Sequence, residues 1–158
     1  GVAMGTRLMT TRESPLHAQY KALAVKKDVY DTLFSKRFDG ILCRVMKTDA
    51  AKKAIKNGLN LPAAFFNSRD IARQINQPYW KLFIGVMFSG MSNAIQLAYM
   101  ANAFQAIRIA TEDGDTVTGV LPVGQVQGLV HDVPTVAELF ARIDAEAKAV
   151  SGRLAQKV

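Results

Sequence analysis

A short apolar run at the start of the chain ends at a Gly-Thr pair, and this feature constrains the fold most. Val2 to Met4 have the pattern of a buried strand that stops at Gly5 and Thr6. A glycine at a strand end lets the backbone approach a ligand closely, because it has no Cβ. Open backbone N–H groups in such a turn can bind an anion, and the Thr6 hydroxyl and Arg7 are adjacent in sequence. The pattern indicates a phosphate clamp, although the dipeptide alone is more typical of a tight turn.

The segment after this strand end begins with a helix start signal. Ser14 is a suitable N-cap and Pro15 a suitable first helical residue, so we predict a helix that runs to about Lys27. Three apolar residues recur on one face of this helix at helical spacing: Leu16, Tyr20 and Leu23.

An Asp-Gly pair between two strand-like runs predicts a β-hairpin. Tyr30 to Phe38 and Ile41 to Lys47 would be the strands, joined through Asp39 and Gly40. A type I′ turn needs positive φ at both central residues, which Asp-Gly favours. Cys43 lies inside the second strand, where a lone cysteine between apolar neighbours is more often a small core residue than a nucleophile.

The middle of the chain has short helical segments separated by a proline loop. Asp49 is a plausible cap of a helix that ends at Asn57, before a glycine. Three lysines share one face of it: Lys52, Lys53 and Lys56. We predict a loop from Leu59 to Phe66 around Pro62, and another short helix from Asn67 to Gln77.

Residues 82–107 carry no charge and are long enough to span a bilayer. Their polar side chains would be costly in lipid, and two glycines interrupt the run. We therefore predict two helices, Tyr79 to Phe88 and Ser92 to Ala110, that form core rather than a membrane span.

Glycines recur in the last third of the chain, before the final helix. Gly119, Gly124 and Gly128 would allow close approach of a planar ligand or of another backbone. The spacing does not fit a G-x-G-x-x-G nucleotide fingerprint. Thr135 and Glu138 form a capping box, and we predict that the helix that follows has a buried stripe: Val136, Leu139, Phe140, Ile143, Ala147 and Val150.

Three of these motifs, in this order, resemble the nitronate monooxygenase (2-nitropropane dioxygenase-like) flavoenzymes. The stretch from Gly1 to Pro15 resembles the end of that family's barrel. The stretch from Arg37 to Met46 resembles its middle hairpin, and the stretch from Thr118 to Val130 resembles its C-terminal glycine-rich motif. Related flavin-dependent enoyl-thioester reductases share the motifs less closely.

The resemblance implies an α/β fold that is the C-terminal portion of a (β/α)₈ TIM barrel with a helix-rich lid. Residues 1–27 would be the last barrel strand and its helix. Residues 28–110 would be the hairpin and the helical lid, and residues 111–158 the flavin-side glycine loop and the final barrel helix. The lid would cover the flavin and substrate tunnel, where Tyr99, Met100 and Phe104 are candidate lining residues, although packing is the simpler role for each.

The resemblance also implies FMN as the cofactor, bound by its phosphate at the last barrel strands. Gly5 and Thr6 would bind the phosphate, and Gly124 and Gln125 would lie near the mouth of the site. The family's catalytic histidine comes from an earlier strand, so no catalytic residue is assigned to this chain. The implied reaction is oxidation of alkyl nitronates by O₂ to a carbonyl compound and nitrite. The alternatives are NAD(P)H-dependent reduction of an enoyl-thioester or quinone, and an inactive barrel fragment that needs its N-terminal half.

Charge and composition indicate which classes of partner the protein could bind. The chain has 20 Lys and Arg against 13 Asp and Glu, and the excess is concentrated between Lys21 and Lys81. A solvated basic face is the simpler interpretation, and attraction to an acidic acyl-thioester carrier is the functional one. No nucleic-acid module is recognisable. We expect a small-molecule substrate, possible homo-oligomers and no membrane partner.

Single residues exclude other kinds of site. One cysteine, Cys43, allows no internal disulfide, and the two histidines are far apart in sequence, so we expect no protein metal site. No secretory signal opens the chain, and we expect a cytoplasmic protein.

Overall fold

A computed structural model of the protein describes residues 2–74 and 76–156, apart from the side chains of Leu82 and Phe83. Gly1, with which the first motif begins, lies outside the described residues, as does Ile75 in the predicted 67–77 helix. The described part is helix-rich and has one two-stranded antiparallel sheet. Its elements are α1 Thr6–Met9, α2 Ala18–Lys26, β1 Thr32–Ser35, β2 Cys43–Met46, α3 Asp49–Asn57, α4 Leu61–Gln74, α5 Tyr79–Phe88, α6 Met91–Arg108, a π-helical turn Ile109–Asp113, a 3₁₀ turn Gln125–Leu129 and α7 Val136–Ala155.

The predicted strand from Val2 to Met4 is wrong for the described chain. These residues have no regular structure, and helix α1 follows directly after Gly5. A strand requires a neighbour that exchanges backbone hydrogen bonds with it. Within the described residues β1 and β2 pair only with each other and with Pro122, so nothing pairs with this run.

Helix α2 begins three residues later than its predicted first residue, Pro15. The Ser14 hydroxyl accepts a hydrogen bond from Leu16 N at 3.2 Å, which makes a local turn instead of a cap. His17 is the actual N-cap, and its Nδ1 accepts from Gln19 N. The predicted apolar face is confirmed, because Leu16 and Tyr20 are buried and Leu23 packs against them.

The predicted hairpin is present, with shorter strands and a longer connection. Ser35 pairs with Cys43 at the turn end of the ladder. Gly40 has φ +87°, whereas Asp39 is not in the positive-φ region, so the predicted type I′ turn is wrong. Instead Gly40 N donates to Lys36 O in a wider turn. Cys43 packs against the core, and burial raises the pKa of its thiol to about 12, as expected of a structural cysteine.

Helix starts in the middle of the chain differ from the prediction for local reasons. Thr48, rather than Asp49, caps α3 by accepting from Ala51 N. The predicted loop around Pro62 is wrong, because α4 begins at Leu61. Asn60 accepts from Ala63 N, and a proline in the first helical turn has no intrahelical donor to lose.

The two predicted apolar helices are confirmed as α5 and α6, but their expected place in the core is wrong for most large side chains. Helices α4 and α6 bury mainly alanines, among them Ala64, Ala72, Ala101 and Ala103. The large residues of α5 face outward: Trp80 is 61% exposed, Met87 69% and Phe88 88%. The predicted buried stripe of α7 is also wrong for most of its members, because only Leu139 is buried and no described element covers Phe140, Ala147 and Val150. No helix among the described residues combines the length and hydropathy needed to cross a bilayer.

Two small cores meet along the edge of β2. The first packs α2 against Met46, Leu121 and Val123, and the second packs the hairpin and α3 against α6 around Phe38 and Val45. Gly119 permits this junction, because a Cβ there would lie 2.6 Å from Asp115 O and 2.7 Å from Ala110 N. The expectation that this glycine allows close backbone approach is confirmed.

Tyr20 links the first core to the glycine-rich segment. Its hydroxyl donates to Gly119 O at 2.7 Å, and the side chain is fully buried. Burial, and secondarily the charge of Asp115, raises the pKa of Tyr20 to about 12.

We predict that Tyr20→Phe lowers the free energy of unfolding by about 1–3 kcal/mol, because the Gly119 carbonyl loses its partner in the interior. The folded pKa of Tyr20 lies above the unfolded value of 10.0. Its contribution to stability is therefore complete below pH 10 and is lost as the pH rises towards 12. Urea unfolding at pH 7 and across the alkaline range measures both effects. Tyr30→Phe, at an exposed position, is the control. A Tyr20→Phe protein with unchanged stability and an unchanged alkaline profile would contradict this role.

Candidate active site

Segment 121–123 positions the glycine-rich motif next to the first residues of the chain. Met46 N donates to Leu121 O and Val123 N donates to Arg44 O, both at 2.9 Å, and Pro122 forms a bridge with Val45. The segment thus runs antiparallel to β2, joined to it by an isolated bridge and two backbone hydrogen bonds. Its end fixes the position of the next residue, Gly124.

Gly124 and Thr6 meet although they are 118 residues apart in sequence. Gly124 N donates to Thr6 Oγ1 at 2.6 Å, and Thr6 is buried. A Cβ at position 124 would lie 3.1 Å from the same oxygen, so glycine is suited to this contact. The Thr6 hydroxyl accepts here, which leaves its own hydrogen to donate elsewhere.

Gly5 lies beside this contact with its Cα face open. Its φ of −78° and ψ of −70° are in the right-handed helical region that any L-residue adopts. Apart from its two chain neighbours, no atom of the described residues lies within 4 Å of the position that its Cβ would take. Neither backbone conformation nor packing within the described chain therefore requires glycine at position 5.

A cleft of ≈ 790 Å³ borders these residues. It lies between the start of the chain, the 3₁₀ turn and α7. Its lining residues are Ala3, Met4, Gly5, Thr6, Arg7, Gly124, Val126, Leu129, Val130, Leu139, Arg142, Ile143 and Glu146. Three of the four predicted site residues, Gly5, Thr6 and Gly124, are brought together here. The fourth, Gln125, begins the 3₁₀ turn, is exposed and is not among the lining residues.

Asp132 forms ion pairs with two arginines that line the cleft, Arg7 and Arg142. Arg7 Nη2 lies 2.5 Å from Asp132 Oδ1, and Arg7 Nη1 donates to Asp132 O at 3.0 Å. Arg142 of α7 contacts the other carboxylate oxygen. The hydrogen bond from Arg142, reinforced by Arg7, lowers the pKa of Asp132. The carboxylate therefore ties α1 to α7 across one wall of the cleft, and it offsets part of the arginine charge.

Gln127 is a structural residue of the site that the sequence did not single out. It is 1% exposed, and its Nε2 donates to Ala24 O at 2.7 Å. This bond anchors the 3₁₀ turn on the C-terminal end of α2. Gly128 follows it, where a Cβ would lie 2.0 Å from Val29 N. The sequence did not predict the burial of Gln127, because a glutamine between loop glycines is usually exposed.

A second, apolar cleft of ≈ 300 Å³ lies between α4, α5 and α6. Among the described residues that line it, Ser68 and Tyr79 carry hydroxyl groups, and the others are apolar: Leu61, Ala64, Phe65, Val86, Ala94, Leu97, Ala98 and Ala101. The candidate lining residues Tyr99, Met100 and Phe104 are not among them. The structure thus contains an apolar cleft in the predicted lid segment, with a different lining.

The sequence profile of the nitronate monooxygenase family matches residues 1–146. The chain belongs to the nitronate monooxygenase family. Two curated relatives carry the name (3aS,4S,5R,7aS)-5-hydroxy-7a-methyl-1-oxo-octahydro-1H-indene-4-carboxyl-CoA dehydrogenase. The protein from Rhodococcus jostii is 31% identical and that from Mycobacterium tuberculosis 30% identical, each over 153 residues. The matches cover 93% of this chain and 43% of each relative. The chain thus spans less than half the length of these family members.

The fold of this family member is similar to part of two solved FabK structures from Thermotoga maritima. A FabK variant superposes with a TM-score of 0.63 at 21% identity, over 98% of this chain and 36% of that chain. Another FabK structure gives 0.60 at 22% identity, over 98% and 39%. The agreement over nearly the whole chain shows a shared fold for the described helices and hairpin.

We predict that Thr6→Val destabilises the chain, because it leaves the Gly124 N–H without its acceptor. The expected loss is about 1–3 kcal/mol of unfolding free energy. Thr6→Ser keeps the hydroxyl and is the matched control. Chemical denaturation of both variants measures the difference, and equal stability of the two would show that the Thr6–Gly124 bond does not hold the site together.

Proposed function

We propose that this protein is an FMN-dependent oxidoreductase and that the cleft at Gly5, Thr6 and Gly124 receives the phosphate of the flavin. The open Cα face of Gly5 beside the Thr6–Gly124 contact carries the proposal. Glycine at that position has no explanation within the described chain, whereas a close-lying ligand would require it.

The groups around this face suit a phosphate. The Thr6 hydroxyl can donate, and the backbone N–H groups of Gly5 and Thr6 are the donors that the family resemblance implies. Hydrogen bonds to an anion are stronger than neutral ones. Arg7 lines the same cleft, but its guanidinium is engaged with Asp132. Its role would be to fix the shape of the wall, with a smaller contribution of charge.

FMN, when bound, supplies the hydride chemistry. This chain would hold the phosphate end and cover one side of the site. We propose that the described fold is the C-terminal portion of a (β/α)₈ barrel, in which residues 2–4 gain strand partners from the N-terminal half. Large side chains left exposed on α7, such as Val150 and Leu154, would then be covered.

For the substrate we propose a coenzyme A thioester, which the protein dehydrogenates or reduces. The two curated relatives are named as carboxyl-CoA dehydrogenases. The apolar cleft between α4, α5 and α6 offers a place for the apolar part of an acyl group, and the basic face suits the phosphates of the carrier.

Oxidation of alkyl nitronates by O₂ is the second candidate, favoured by the description of the family that matches residues 1–146. Two assays on the FMN-loaded intact protein separate the candidates. One follows O₂ consumption and nitrite release with an alkyl nitronate, and the other follows flavin reduction by an acyl-CoA or NAD(P)H oxidation with an enoyl-CoA. Thioester turnover without nitrite release supports the first candidate, and nitrite release alone overturns it.

The phosphate site makes a separate prediction: Gly5→Val in the intact protein is purified largely without flavin. Beyond its chain neighbours, the valine Cβ would meet no atom of the described residues, and the side chain would occupy the space that the phosphate needs. Loss of two charge-assisted hydrogen bonds would cost about 3 kcal/mol, which is on the order of a hundredfold in affinity. Excess FMN should rescue binding in part. Flavin fluorescence and absorbance measure occupancy.

Riboflavin and a second glycine variant provide the controls. Riboflavin lacks the phosphate, so Gly5→Val should bind it about as well as the unmodified protein does. Gly152→Val introduces the same side chain at another open glycine, on α7, and should keep its FMN. Full FMN occupancy in Gly5→Val would place the phosphate elsewhere.

A further inference from the structure

A third cleft, of ≈ 310 Å³, opens between α3, α4 and α6. This volume is at the lower end of the range of about 300–1,000 Å³ that small-molecule sites occupy. Helix α3 faces it with residues spaced as one helical face: Ala50, Lys53, Ala54 and Asn57. The α3–α4 connection, α4 and α6 form the other walls.

Amide side chains dominate the polar lining of this cleft. They come from three helices and one connection: Asn57, Asn60, Asn67, Asn102 and Gln105. Asn67 Nδ2 donates to Asn102 Oδ1 at 3.3 Å, and Asn102 Nδ2 donates to Asn60 O at 3.0 Å. These bonds hold α4, α6 and the connection together, so the walls are built independently of a ligand.

Two of the amides remain available to a ligand. Neither Asn57 nor Gln105 makes a side-chain hydrogen bond to another residue in the described ranges, 2–74 and 76–156. Each carries two donors and one carbonyl acceptor. An amide of this kind can pair with both the exocyclic amine and the ring nitrogen of adenine.

The floor of the cleft is apolar. Phe38 and Ala103 are buried, and Ala54 and Ala106 complete the surface beside them. An apolar floor with uncharged donors and acceptors at the sides suits a planar heteroaromatic ring. It does not suit an acyl chain, which would leave the amides unpaired.

Positive charge borders the same cleft on α3. Lys52 is paired with Asp49 at 2.9 Å, whereas Lys53, which lines the cleft, and Lys56 have no ion pair within the described part of the chain. Arg37 adds a third cation, since its Nη2 donates to Lys56 O at the end of α3. These groups suit phosphates attached to whatever occupies the cleft.

We propose that this cleft binds a phosphorylated adenosine group, with the purine among the amides and the phosphates at the cations of α3. That a coenzyme A thioester carries the group rests on the function proposed above. A nicotinamide cofactor carries the same chemistry, so the experiment includes both sources.

Isothermal titration of the FMN-loaded intact protein with adenosine 3′,5′-bisphosphate and adenosine 2′,5′-bisphosphate measures the site directly. The first probe represents the coenzyme A end and the second the NADPH end. Gln105→Leu removes a ligand-facing amide without breaking a bond within the described chain, and Lys53→Glu reverses the charge. Each should weaken binding of the preferred probe by roughly tenfold. Gln74→Leu and Lys26→Gln, at exposed positions outside the cleft, should leave it unchanged.

Kinetic constants show whether the adenosine group belongs to the acyl-CoA or to the nicotinamide cofactor. A raised KM for the acyl-CoA in Gln105→Leu, with an unchanged KM for NAD(P)H, assigns the cleft to the thioester, and the reverse assigns it to the nicotinamide cofactor. Absence of probe binding, or equal binding in all variants, overturns the proposal and leaves a solvated polar cleft. If the probes do not bind but the protein turns over the thioester normally, the proposed function still stands. If the probes bind and the variants weaken their binding, but the protein does not turn over the thioester, the thioester assignment is wrong and the proposed adenosine site still stands.

Discussion

The hydrogen bond from Gly124 N to Thr6 Oγ1, 2.6 Å long, is the contact on which the site depends. It joins a turn near the start of the chain to the glycine-rich segment 118 residues later. The sheet makes this contact possible, because the backbone of residues 121–123 is bonded to β2 and ends at Gly124. Gln127 then anchors the following turn on α2. The hairpin and α2 thus position the Thr6–Gly124 contact, although neither contributes a residue to it.

The sequence predicted the elements that interactions between residues close in sequence determine. The hairpin around Gly40, helix α5 and the Thr135–Glu138 capping box at α7 all follow from turn chemistry, capping and periodicity. The signals failed where two local solutions compete. Thr48 rather than Asp49 caps α3, and Pro62 lies inside the first turn of α4. Both alternatives are sterically sound, so composition alone could not choose between them.

Long-range features could not be predicted from the sequence. The motifs around Thr6 and Gly124 were each recognised, but the hydrogen bond between them depends on the path of β2. Residues 2–4 have the composition of a strand and no partner among the described residues to pair with. Helices α5 and α6 have the composition of core helices, yet the buried residues of α6 are Ala101 and Ala103 and large side chains of both helices face outward. Burial depends on which surfaces are covered, and the pattern of a single helix does not contain that information.

A crystal structure of the intact protein with FMN would show where the flavin phosphate binds relative to Gly5 and Thr6. The quantities to measure are the distances from the flavin phosphate oxygens to Thr6 Oγ1 and to the backbone nitrogens of Gly5 and Thr6. We expect hydrogen-bond distances of about 2.7–3.2 Å to these groups, with the phosphate against the open face of Gly5. A flavin whose phosphate lies outside this cleft, with the Gly5 face in contact with water or with another part of the protein, would contradict a phosphate site at Gly5 and Thr6.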